Sequence, residues 1–351
     1  MKGGIPRLLI LFGVFHSLYA APQTTGGIQH THCVNDTLQQ YALYVPAICT
    51  AAAPAPLLIF LDPAARGELP VQLYHTLADE YGIIMAGSFN SRNFNGNSSV
   101  EAFAALYTDI ISRYAIDQKR VWLAGFSGGS RAASMVAIQY PQITGVIGCG
   151  AGFAGNMDVT PANMKAYAAI VGDKDMNYGE LADNAYYLDE QRVKNLLLVF
   201  YGGHTWPPLA YMKAAAEWLS EKAAFPVAGD TSLFPIVKEK ADSGFLYQAW
   251  LEAAQLNKIA SCHDSAAALM AVLRQQRKFD ADKEQFEKAA ADETTCMNIP
   301  DVGAKAHRQA HRAEHQRGCL EQQLGDAVGI LDRVEEEHPE AFQRIGSECG
   351  K

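Results

Sequence analysis

The chain has 351 residues, a formal net charge of −9 and seven cysteines, an odd number. At about 150 residues per domain this length points to roughly two domains with ample core. A hydrophobic content of 49% with 19% charged residues excludes a disordered chain. The acidic balance argues against nucleic acid as a partner, because phosphate recognition needs a basic face. Charge is also unevenly spread: residues 1–230 carry 32 charged side chains and residues 231–351 carry 35, about twice the density. Two compositionally different parts are expected.

The chain opens on Lys2 and Arg7, continues with an apolar run from Leu8 to Phe15, and reaches small residues at Ala20-Ala21. That order reads as a secretory signal peptide over 1–21 and predicts a secreted or periplasmic protein. The run is too short for a transmembrane helix, and no later stretch is long enough, so no membrane span is expected. An oxidising compartment makes the cysteines candidates for disulfides. Cys33 and Cys49 are close enough in sequence for one bridge, and Cys262, Cys296, Cys319 and Cys349 allow two more in any of three pairings. Cys149, inside ITGVIGCGAGF, reads as a small core residue.

From about residue 40, short β-rich runs alternate with helical patterns. Strands are expected at Tyr41–Val45, Leu57–Leu61, Gly82–Ala86, Val121–Ala124, Thr144–Cys149, Ala166–Val171 and Leu196–Phe200. Helices are expected at 71–80, 100–115, 129–139, 179–190 and 209–223. Several of the strands are continuous apolar runs, as suits strands covered on both faces. The fold class is therefore α/β, a mostly parallel sheet with helices on both faces over residues 22–228. Thr231–Pro235 reads as a linker, and residues 229–351 read as a helical region with helices at 244–275, 280–293, 303–325 and 327–346. In it His307, His311 and His315 share a helical face, read as a solvated polar face among arginines, so no metal is assigned.

The strongest chemical signal is Gly125-Phe126-Ser127-Gly128-Gly129, which follows the strand RVWLAG and opens the helical run SRAASMVAIQY. This is the strand, sharp turn and helix that a nucleophile elbow requires. Side chains at 125 and 129 would crowd such a turn. Ser127 is the candidate nucleophile, and a serine hydroxyl needs a base that is itself oriented by an acid. Between Ser127 and the charged C-terminal part the only histidine is His204, in a Gly-Gly loop after LLLVF. The acid is expected after AYAAIVG, where Asp175 is preferred to Asp173, a residue placed to bond the backbone of its own turn. The order Ser127, Asp175, His204 is that of α/β-hydrolases. Oxyanion donors are expected from the backbone N–H of Gly128 and, because Pro63 has none, from that of Ala64.

The elbow GFSGG, the loop GDKDMNY, the segment GGHTWP and the early Tyr44-Val45-Pro46 together resemble the α/β-hydrolase superfamily. Within it they are most similar to secreted esterases such as polyhydroxybutyrate depolymerases and feruloyl esterases. The resemblance covers about residues 38–223. It implies hydrolysis of a small-molecule or polymer-linked carboxylic ester through an acyl-serine, without a metal or organic cofactor. Where that group has a histidine-glycine pair before the oxyanion loop, this chain has Asp62-Pro63. Arg92, in Asn90-Ser91-Arg92-Asn93, is a candidate contact for an acidic or sugar-bearing substrate. Phe126 and Trp206 are candidates for the lining of an acyl pocket. A serine peptidase with the same residues, and a non-catalytic protein that binds a partner of unknown kind through its helical region, are the alternative readings.

Overall fold

The computed structural model describes residues 25–50, 52–93, 98–153, 157–220 and 233–297, with side chains to residue 288 in the last helix. Eight strands form one sheet: β1 (Gln29–His32), β2 (Gln40–Tyr44), β3 (Ala55–Leu61), β4 (Ile84–Ser88), β5 (Ile116–Phe126), β6 (Gly145–Cys149), β7 (Ala166–Gly172) and β8 (Lys194–Phe200). Their order is β1-β2-β4-β3-β5-β6-β7-β8. The first two strands join antiparallel, and β4, β3, β5, β6, β7 and β8 run parallel. Every residue of β3, β6 and β7 is buried, which is why these strands read as unbroken apolar runs rather than alternating ones.

Helices α1 (Glu68–Tyr81), α2 (Ser98–Arg113), α3 (Gly128–Gln139), α4 (Tyr178–Glu190) and α5 (Leu209–Ser220) connect or follow the parallel strands. Each expected strand and helix of this part is present, most with shifted ends, and residues 221–223 of the expected 209–223 helix lie outside the described residues. Gly82, expected to open a strand, instead ends α1 in the left-handed conformation at φ 65°, its N–H bonded to Ala78 O. β1 was not expected, because its QHTH alternates half-buried and exposed positions at the sheet edge and has no apolar face to betray it.

The C-terminal part differs more. Of the expected linker Thr231–Pro235, residues 231 and 232 lie outside the described residues, and Pro235 is the first residue of α6 (Pro235–Asp242), where the missing N–H of proline costs nothing. The expected helix over 244–275 is two helices, α7 (Leu246–Leu256) and α8 (His263–Gln275), separated by extended Ile259 and a 3-10 turn at Ala260–Cys262. The break has a tertiary cause. It turns the Ser261 N–H and hydroxyl onto the two carboxylate oxygens of buried Glu217 on α5, each at 2.9 Å. α9 (Phe279–Met297) covers the expected 280–293. The expected helices at 303–325 and 327–346, with His307, His311 and His315, lie outside the described residues, as does the expected signal peptide.

Packing is continuous across the compositional boundary. Leu233, Ile236, Val237, Leu246, Ala249 and Leu256 join the same core as the sheet strands. β8 is the edge strand opposite β1, and α7 with the turn after it covers its open hydrogen-bonding groups: Gln255 Oε1 accepts the Leu197 N–H at 3.1 Å, and Lys258 Nζ donates to Asn195 O at 3.1 Å. Among the described residues no helix is long and apolar enough to cross a membrane.

The expected Cys33–Cys49 bridge is not formed. Cys33 is buried beside Asp109 of α2, where burial and the neighbouring Asp109 and Asp36 carboxylates push its thiol up to about 12. Cys49 lies elsewhere, donating to Gly82 O at 3.3 Å beyond the end of α1. Cys149 is wholly buried in β6, in the core role expected of it. Cys262 is buried ahead of α8 and makes no disulfide among the described residues; the side chains of Cys296, Cys319 and Cys349 lie outside them.

Candidate active site

The parallel strands all point their carboxyl ends to one edge of the sheet, where α/β folds bind ligands. Ser127 follows β5, Asp175 follows β7, and His204 follows β8. The chain must reverse direction within one residue between β5 and α3, and it does so at Ser127, whose φ of 53° and ψ of −120° are strained for a residue with a side chain. Close packing explains the flanking glycines. A β-carbon on Gly125 would lie 2.1 Å from Gly129 O, and one on Gly129 would lie 2.0 Å from Leu61 O. The turn is held from below by the Ser127 N–H, which donates to Cys149 O at 2.8 Å.

His204 Nε2 lies 2.9 Å from Ser127 Oγ, and His204 Nδ1 lies 3.0 and 2.9 Å from the two carboxylate oxygens of Asp175. Asp175 is buried, while its own Oδ1 also accepts the Asn177 N–H at 2.9 Å. Asp173 faces another way, its Oδ1 accepting the Gly202 N–H at 2.8 Å and so tying the β7 loop to the loop that carries His204. A hydroxyl, an imidazole and a buried carboxylate in series can pass a proton from oxygen to nitrogen while the carboxylate steadies the resulting cation. The Gly128 and Gly129 N–H groups open α3 ahead of its first bond, from the Ser130 N–H to Ser127 O at 3.0 Å, so the positive end of the helix dipole lies at Ser127.

One expected contribution is corrected by the structure. The Ala64 N–H donates to Asp62 Oδ1 at 2.9 Å, so it is engaged inside its own loop instead of facing the space above Ser127. Phe126 and Trp206 are both 7% exposed, and their rings are committed to packing. Phe126 tilts against the His204 imidazole at 4.7 Å between centroids and against Trp206 at 5.6 Å, and Trp206 meets Phe60 and Tyr74. Phe126 thus packs directly on the His204 imidazole, with Trp206 behind it. Arg92 is exposed, and its backbone bridges to Ala64.

The residue that sequence reasoning missed is Asp62. It is wholly buried and accepts the Ala64 N–H, the Arg66 guanidinium through Nε and Nη2 at 3.0 Å each, and the Trp206 indole N–H at 3.0 Å. Burial alone would raise its carboxyl, but the bonds from Arg66, Ala64 and Trp206 and the Arg66 charge hold it below the usual carboxylate range. One carboxylate thereby joins the loop after β3 to the segment two residues past His204. The only sequence signal was its appearance where the resembled esterases have histidine.

No protein-family model matches the chain. It is 28% identical over 167 residues to feruloyl esterase B of Talaromyces stipitatus, a match covering 43% of this chain and 44% of that protein's length. Among solved structures, S-formylglutathione hydrolase FrmB from Staphylococcus aureus aligns at a TM-score of 0.45 with 14% identity, over 55% of this chain and 95% of that one. The feruloyl esterase module from Clostridium thermocellum, complexed with sinapinate, aligns at 0.41 with 12% identity, over 53% and 83%. The eight-stranded order, with its antiparallel start and parallel remainder flanked by helices, is that of the α/β-hydrolase fold.

Proposed function

We propose that the protein is a serine esterase acting on carboxylic esters outside the cytoplasm. In this reading Ser127 Oγ attacks the ester carbonyl carbon while His204 Nε2 takes its proton. Asp175 holds His204 in the tautomer that leaves Nε2 free to accept, and stabilises the imidazolium. The Gly128 N–H at the start of α3 receives the developing oxyanion. Collapse of the tetrahedral intermediate expels the alcohol, protonated by His204, and leaves an acyl group on Ser127. Water, deprotonated by His204, then attacks the acyl carbon; the bond from that carbon to Ser127 Oγ breaks, His204 returns the proton to Oγ, and the acid is released.

The observation that carries this reading is the unbroken series Ser127 Oγ, His204, Asp175, each contact near 2.9 Å, beginning at a strained residue on a helix N-terminus. Similarity to a feruloyl esterase over part of its length agrees with it. Export rests on the basic and then apolar opening of the chain. The test is labelling by a fluorophosphonate probe, with hydrolysis measured on acetyl, feruloyl and hydroxyalkanoate esters. Wild-type protein should be labelled and Ser127→Ala should not, with ester turnover lost by roughly 10⁴-fold or more. A folded wild-type protein that neither takes the label nor hydrolyses any of the esters would overturn the proposal in favour of a binding role.

A further inference from the structure

The engagement of the Ala64 N–H leaves Gly128 without the second donor that an oxyanion site of this kind uses. A different group lies beside it. β4 ends at Ser88, whose hydroxyl oxygen accepts the N–H groups of Asn90 and Ser91 at 3.0 Å each, and the chain then folds back over the loop that follows β3. There the Asn93 N–H donates to Pro63 O at 2.9 Å, next to the antiparallel bridge between Ala64 and Arg92. The backbone of Asn93 is thus pinned on the oxyanion side of Ser127.

Its side chain reaches further. A β-carbon built on Gly128 would come within 1.9 Å of Asn93 Oδ1 and 2.5 Å of Nδ2, so the carboxamide occupies the volume that any side chain at position 128 would need. The Gly128 Cα is one bond from the N–H assigned to the oxyanion. A carboxamide against that Cα therefore has its two N–H donors beside the same spot, directly or after a half-turn of the amide that exchanges Nδ2 with Oδ1. Asn93 is exposed, and its carboxamide is not engaged by another described side chain or carbonyl. Its backbone is held by Pro63 O and its carboxamide stands at the place where charge would develop.

We propose that the side-chain amide of Asn93, in place of the Ala64 N–H, is the second oxyanion donor of this enzyme. The proposal rests on the serine-esterase reading and also accounts for glycine at 128, since a larger residue would expel the amide. It makes Asn93 a catalytic residue whose contact is stronger in the transition state than in the bound ester.

The experiment compares wild type, Asn93→Ala and Asn93→Asp on one activated ester, with inhibition by a phenylboronic acid as the tetrahedral mimic. Asn93→Ala should lower kcat by about 10²-fold with KM changed by less than about threefold, and boronate affinity should fall in parallel with kcat. Asn93→Asp keeps the shape and removes the N–H donors, so it should lose at least as much. A purely spacing role predicts instead that Asn93→Asp retains wild-type kcat, and that result overturns the proposal even if the alanine variant proves unstable. Wild-type activity with both variants within about threefold also overturns it while leaving the esterase reading standing. A wild-type protein with neither label nor turnover removes both.

Discussion

The loops at the carboxyl edge of the sheet and the helices along β8 are held in place by different forces. At the edge, position is set by directional contacts: Asp62 gathers Ala64, Arg66 and Trp206, Asp173 ties down Gly202, and Asp175 and Ser127 grip the two sides of His204. Along β8, α6 and α7 are held mainly by apolar faces that include Ile236, Val237, Ala249 and Leu256, with Gln255, Lys258 and Ser261 aligning them. Hydrogen bonds fix angles and distances but each adds little net stability, whereas apolar burial adds stability without direction. The edge is therefore built for geometry and the flank for cohesion. They touch where the Tyr201 hydroxyl, three residues before His204, donates to Pro235 O at 2.9 Å.

That contrast can be broken by variants that separate activity from stability. The largest effect belongs to Asp175→Asn, which keeps the shape but presents His204 with the wrong partner for its Nδ1 proton. Ester turnover should fall by about 10⁴-fold with a midpoint of denaturation close to wild type, as steady-state kinetics and urea unfolding would show. Leu256→Ala should do the reverse. Loss of this buried side chain should cost about 2–5 kcal/mol in unfolding free energy, while kcat on the folded fraction stays within a factor of about two. If kcat fell with stability, the flank would be part of the site after all.

Asp62→Asn sits between the two regions and should affect both more gently. It removes a charged acceptor from Arg66, at about 1–3 kcal/mol, and loosens the loop after β3 relative to Trp206. The pH dependence sharpens the test. Because the folded protein holds the Asp62 carboxyl below its ordinary value, the stability it contributes is present above the unfolded value of about 3.9 and is lost as pH falls toward the lower folded value. Denaturant unfolding across that acid range should therefore lose less stability with falling pH in Asp62→Asn than in wild type.

How much of this was legible beforehand depends on the distance over which each residue finds its partner. The parallel strands were visible because their burial is written into local apolar runs such as LLIFL and AYAAIV. Ser127 was visible because the elbow is a five-residue geometry with glycines at its crowded points. The break between α7 and α8 was not, because helix propensity runs through it and its cause, Glu217, is 44 residues away. Nor was the engagement of the Ala64 N–H: an aspartate two residues back looked like a departure from a pattern, not like an acceptor buried under Trp206.

By itself, then, the sequence determined the alternation that makes a parallel sheet, the turn that carries Ser127, and the chain order in which an imidazole and a carboxylate follow it, since these depend on neighbours a few residues apart. Only the tertiary structure decided which carboxylate faces His204, which amide lies beside Gly128, and that α6 and α7 close the β8 edge of the sheet. Those outcomes turn on where loops from separate strands meet. A hydrogen bond depends on that meeting to within a few tenths of an ångström, and no local pattern of residue types encodes it.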